Sequence, residues 1–148
     1  MTHEQELIHW KNMVKLYKFD YLTGMKQRRD FEVETMHKLT NQKFWLAMFD
    51  VTGLHKVNRD KGFAAGDALI KQVATEIQGM ATLWEVYRIG GDEFMALFFE
   101  EPDVDSIPNA TGCSMHSNNF KSFGDLLDSV DRCVIDKKKS LGNRREDD

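Results

Sequence analysis

The sequence predicts an α/β (α+β) fold: one central, mostly antiparallel sheet flanked by helices, with a further helix at the N-terminus. Segments whose apolar residues recur at helical spacing alternate with short strand-like runs. One of these, Phe44 to Phe49, is apolar throughout, which marks a strand buried on both faces. Two others, Leu83 to Arg88 and Phe94 to Phe99, flank Gly90-Gly91-Asp92-Glu93, and strands around a glycine-rich turn form a β-hairpin.

Along the chain, residues 3–18 read as a helix with Leu7, Trp10, Val14 and Tyr17 on one stripe. The stripe packs on its own domain or on a second copy, and about two heptads do not decide which. Asp20 to Gly24 is a turn, and a second helix runs from Lys26 to Leu39. After the Phe44–Phe49 strand, Gly62 and Gly66 bracket a loop. A helix then runs from Ala68 to about Met80, with Ile70, Val73, Ala74 and Ile77 on one face and Asp67 suited to its N-cap. Beyond the hairpin, Glu101 to Asn119 is polar, holds both prolines and reads as the least structured stretch. The last helix spans Phe123 to Lys139, and the charged tail Asn143 to Asp148 is expected to fray.

With 148 residues, 41% hydrophobic and 30% charged, the chain is sized for one domain with a real core. No apolar run approaches the ~20 residues of a membrane span, and MTHEQELIHW lacks a signal-peptide pattern, so the expectation is a cytoplasmic protein without membrane insertion. A net charge of -4 argues against nucleic-acid binding but not against nucleotides, whose phosphates a metal ion can neutralise. Cys113 and Cys133 lack metal-ligand spacing, and Cys133 falls on a helical apolar stripe, which reads as a buried thiol.

Candidate chemistry lies in the acids. Asp50 ends an otherwise apolar strand, where a carboxylate must reach solvent or meet a cation. Asp92 and Glu93 sit at the hairpin tip, so neighbouring strands would bring all three to one spot suited to a hard divalent ion. Equally, Asp50 simply ends a strand and Asp92 fills a turn position; pattern alone leaves both open. Gly90-Gly91 tilts the balance towards a ligand, because paired glycines tolerate positive φ and admit close backbone approach.

Arg88-Ile89-Gly90-Gly91-Asp92-Glu93-Phe94 resembles the signature of the GGDEF family of nucleotidyl cyclases. So do Asp20-Tyr21-Leu22-Thr23-Gly24 with Arg28-Arg29 and Phe31, Phe49-Asp50-Val51 with Val57-Asn58 and Gly66-Asp67, and Leu126-Leu127, Val130-Asp131 with Lys138. The resemblance implies a palm-like domain over residues 20–143, preceded by a signalling or dimerising helix at 1–19 and followed by a tail at 144–148. It further implies a diguanylate cyclase that condenses two GTP into cyclic di-GMP, one GTP per domain, in a homodimer. Asp50 and Asp92 would bind Mg²⁺ or Mn²⁺ with the Val51 carbonyl, and Glu93 would assist at the reacting centre. Gly90 and Gly91 would approach the nucleotide, Asn58 and Asp67 would read guanine, and Lys138 would contact the triphosphate. Two alternatives stand beside this: a catalytically weak module binding GTP or a partner, and a cyclase making another cyclic dinucleotide.

The chain departs from the family pattern at several positions. Thr52 replaces a usual aspartate, Leu54-His55 a Phe-Lys pair, Arg59 an acid and Phe63 a histidine. Gly142 stands where a phosphate-binding arginine is usual, with Arg144 and Arg145 nearby. Ala81 and Trp84 occupy the positions of the product-inhibition RxxD, so no feedback site of that kind is expected. The stretch from Phe94 to Lys121 is short, implying the loss of a helix, and the family's next strand is only hinted at by Ala110-Thr111-Gly112.

Overall fold

The computed structural model describes residues 1–141, so Gly142, Arg144, Arg145 and the tail lie outside it. Its elements are α1 (His3–Lys18), β1 (Lys26–Gln27), α2 (Arg28–Asn41), β2 (Trp45–Val51), α3 (Leu54–Lys61), α4 (Phe63–Gln78), β3 (Leu83–Arg88), β4 (Glu93–Phe98), β5 (Ala110–His116) and α5 (Phe123–Ser140). Among the described residues five strands form one sheet in the order β1-β3-β4-β2-β5. All pairs are antiparallel except β1 with β3. The expected α+β class and the hairpin are both present.

Period-two alternation divides the sheet between two cores. On one face Ala47, Phe49 and Val51 of β2 and Phe94, Ala96 and Phe98 of β4 meet Leu54 of α3 and Ile70, Val73, Ala74 and Ile77 of α4. On the other, Leu46, Met48, Tyr87, Met95 and Leu97 meet Phe31 of α2 and Leu126, Val130 and Val134 of α5. This two-sided burial is why β2 carries no polar residue before Asp50. Of the stripe on α1, Leu7, Trp10 and Val14 are exposed, and the Tyr17 side chain lies outside the described residues. No helix among the described residues is long and apolar enough to cross a membrane.

Four sequence expectations need correction. First, residues 54–61, to which the pattern assigns no element, form a helix that carries Asn58. Second, α4 begins at Phe63, not at Ala68, which places Gly66 and Asp67 inside the helix and leaves Asp67 no N-cap role. Gly62 is the reason. At φ 91 it both ends α3 and starts α4, joining two helices without the expected loop. Third, the stretch from Glu101 to Asn119 contains β5, hydrogen-bonded to β2 from Trp45↔His116 to Val51↔Ala110. As an edge strand β5 accepts Thr111 and Ser114 without an apolar pattern, and both prolines fall outside it. Between β4 and β5 there is only a 3₁₀ turn at Val104–Ser106.

Fourth, Cys133 is not a free thiol. It is bonded to Cys113, with Cα atoms 6.1 Å apart, because α5 lies along β5. Neighbouring Gly112 is required for a different reason: a Cβ there would sit 2.8 Å from the Phe49 ring and 3.1 Å from Val104. Gly112→Ala is therefore expected to overpack the core and cost about 1–3 kcal/mol, read from the denaturant midpoint. An unchanged midpoint would mean that the ring yields freely.

Candidate functional site

The acidic group is assembled by the β2–β4 ladder. Asp50 lies directly opposite Glu93, and the Val51 N–H donates to the Asp92 carbonyl at 2.8 Å. Asp50 is not at the strand end, as the sequence suggested, but one residue inside it and only 8% exposed. One of its oxygens, Oδ2, accepts from Lys138 Nζ of α5 at 2.9 Å, while Oδ1 is buried with no hydrogen-bond partner. Asp50, Val51, Asp92, Glu93 and Lys138 are thus brought together at one end of the sheet.

Burial raises the Asp50 carboxyl, the Lys138 hydrogen bond opposes this, and the charge of Asp92 raises it again, to about 6. Glu93 is also raised, by burial first and then by Asp92 and Asp131. It lines a cavity of about 210 Å³ with Arg28, Phe31, Met48 and Asp131. A carboxyl raised in the folded state is protonated more easily there than in the unfolded chain. Its contribution to stability is complete below the unfolded value near 4 and is lost as pH rises through about 6. Without divalent ions, wild type is expected to lose stability between pH 4 and 6.5 relative to Asp50→Asn. Parallel melting curves for the two proteins across that range would contradict the assigned shift.

The Gly90-Gly91 turn is held from behind. Arg88 donates to the Gly91 carbonyl at 2.9 Å and to both Asp20 oxygens at 3.0 and 3.1 Å. Asp20 also accepts from the Thr23 N–H and hydroxyl. Burial pushes the Asp20 carboxyl up, but Thr23 and Arg88 outweigh it and hold it below the usual carboxylate range. This clamp was not singled out in the sequence; its signal is the arginine two positions before the glycines. Neither Gly90 nor Gly91 has the positive φ expected of them. A Cβ at Gly91 would meet nothing within 4 Å, and at Gly90 only Glu93, at 3.6 Å or beyond. The fold itself does not demand glycine at either position.

Asn58 and Asp67 form a second group on the α3–α4 pair. A Cβ at Gly66 would collide with Asn58 Oδ1, so the glycine lets Asn58 lie against the first turn of α4, next to Asp67. These helices cover the sheet face opposite α5. A ligand touching Asn58, Asp67 and Lys138 must therefore reach from one face of the sheet to the other. Ala81 is exposed, and Trp84 stacks on Phe99 at 4.9 Å with Lys38 above it.

A divalent ion fits the donor set, which consists of hard oxygens with one buried carboxylate oxygen unsatisfied. Among the described residues no three His, Cys, Asp or Glu side chains are grouped to hold an ion. Two carboxylates would leave the rest of the shell to carbonyls, water and phosphate, the arrangement Mg²⁺ favours.

Comparison with known proteins agrees with this architecture. An uncharacterised membrane protein of Staphylococcus saprophyticus is 29% identical over 105 residues, covering 64% of this chain and 30% of its own length. A similar protein of Staphylococcus epidermidis is 28% identical over 99 residues. The chain thus spans less than a third of the length of these relatives. Among solved structures, a microbial GGDEF domain studied with cyclic di-GMP superposes with a TM-score of 0.70 at 23% identity, covering 86% of this chain and 95% of its own. The coiled coil and GGDEF domain of DgcB from Caulobacter crescentus, in complex with c-di-GMP, gives 0.72 at 18% identity, covering 95% and 90%. At those identities the likeness speaks for the fold. The profile of the family described as "Diguanylate cyclase, GGDEF domain" matches residues 17–111, and on that match the chain belongs to the GGDEF family.

Proposed function

We propose that this domain is a diguanylate cyclase, converting two GTP into cyclic di-GMP and two pyrophosphates in a cytoplasmic setting. The observation that carries the reading is Asp50: a buried carboxylate with one unpartnered oxygen, beside Asp92 and a turn whose glycines the fold does not require. Solvation favours such an oxygen only when a cation or donor completes it.

On this reading Asn58 and Asp67 bind the guanine edge, Gly90 and Gly91 admit the nucleotide backbone-close, and Lys138 meets the triphosphate. Asp50, Asp92 and the Val51 carbonyl hold Mg²⁺ or Mn²⁺. A metal ion there would lower the pKa of the attacking 3′-hydroxyl and offset charge on the α-phosphoryl group. Glu93, raised by burial, would take the hydroxyl proton as the new phosphodiester forms and pyrophosphate leaves. Each domain supplies one GTP, so two copies face each other, at least during turnover. The regions 1–19 and 20–143 are then a dimerising or signalling helix and the cyclase proper.

The test is incubation of purified protein with Mg²⁺ and GTP, ATP or both, followed by chromatographic identification of products. Cyclic di-GMP from GTP alone is the expected result. GTP binding without product would favour the second reading, a regulatory GTP- or partner-binding module. The observation on its side is the short β4–β5 connection, with a 3₁₀ turn in place of the helix whose loss the sequence implied.

A further inference from the structure

Phe63 is the first residue of α4 and is 77% exposed, a large apolar ring held in water by no neighbouring core. Isolated exposed apolar residues are common; the location of this one is what distinguishes it. Phe63 and Asp67 are four residues apart on one helix and share a face. A helical side chain leans over the turn preceding its own Cα, so the Phe63 ring overhangs the helix start at Gly62. The space there is open, since a Cβ on Gly62 would meet nothing within 4 Å. Asn58 approaches from α3 against Gly66, one turn further along. A ring and two polar side chains therefore lie within about one helical turn of one another on the α3–α4 pair, chemistry that matches the face and the edge of a purine.

We infer that Phe63 is a base-stacking residue, covering the guanine whose edge Asn58 and Asp67 read. This deepens the GTP-site reading above and rests on it. Aromatic stacking on a base is insensitive to base identity, so Phe63 supplies affinity while Asp67 supplies choice.

The experiment measures binding, not turnover. Calorimetry with Mg²⁺ compares 3′-deoxy-GTP, which lacks the attacking hydroxyl, with inorganic tripolyphosphate, which lacks a base. Phe63→Ala and Phe63→Leu are expected to weaken 3′-deoxy-GTP about tenfold, leaving tripolyphosphate unchanged. Phe63→Trp is expected to keep wild-type affinity, with the introduced indole quenched on addition of 3′-deoxy-GTP but not of tripolyphosphate. Wild-type affinity for 3′-deoxy-GTP in Phe63→Ala, or an equal loss for tripolyphosphate, overturns the role of the ring and leaves the GTP site standing. Failure of wild type itself to bind 3′-deoxy-GTP overturns both.

Discussion

Asp92→Ala is expected to reduce cyclic di-GMP formation by about 10³-fold or more while leaving the melting temperature nearly unchanged. Loss of a metal ligand forfeits several kcal/mol of charge stabilisation in the transition state, and each 1.4 kcal/mol is tenfold in rate. The fold should survive, because the hydrogen bond that Asp92 accepts from Val51 is made by its backbone carbonyl, which alanine retains. Asp50→Ala is the poorer probe: it would also remove the half-buried hydrogen bond that Lys138 donates from α5 to β2. The measurement pairs product chromatography with thermal denaturation of the same preparation. Normal turnover in a folded Asp92→Ala protein would remove Asp92 from the metal site.

Asp67 should control base choice. A carboxylate accepts from both N1–H and the exocyclic amine of guanine, whereas adenine presents N1 as an acceptor and sets lone pair against lone pair. GTP is therefore expected to be used about 10²-fold more efficiently than ATP. In Asp67→Ser the repulsion is gone and the shorter side chain pairs with neither base, so the ratio should fall towards unity. The two specificity constants, measured in wild type and variant, decide the matter. A wild-type preference for ATP, or a ratio unmoved by the substitution, would take Asp67 out of the base pocket and the guanine assignment with it. The helix-cap explanation for this residue is already excluded by the start of α4 at Phe63.

What the sequence made legible was whatever repeats or has an all-or-none composition. The apolar run of β2 and the glycine turn between β3 and β4 forced a buried strand and a hairpin, and their pairing brought Asp50 and Glu93 face to face. Helix α3 was hidden because it is short and largely polar: among Leu54 to Lys61 only Leu54 is buried. Strand β5 was only hinted at, by Ala110-Thr111-Gly112, because an edge strand needs hydrogen bonds more than apolar residues, and Ala-Thr-Gly-Cys-Ser-Met-His carries no alternation to detect. The Cys113–Cys133 bond and the Arg88–Asp20 clamp depend on elements distant in sequence meeting in space, which local pattern does not encode. Of the two reasons for singling out the glycines at 90 and 91, positive φ is adopted by neither, while close backbone approach by a ligand remains the reason for both.

The Lys138–Asp50 contact has a thermodynamic consequence. In the metal-free domain this ammonium already serves as counter-ion to the carboxylate proposed to hold the divalent ion. Occupation of that carboxylate by an ion of higher charge exchanges one cation for another and releases Lys138 from its Asp50 contact, the contact a phosphate would replace. The two binding events are then linked with a positive sign, and by reciprocity the triphosphate should tighten the ion by the same factor that the ion tightens the triphosphate. Lys138→Met would separate them. Metal affinity without nucleotide should rise as a competitor is removed, while the mutual enhancement shrinks.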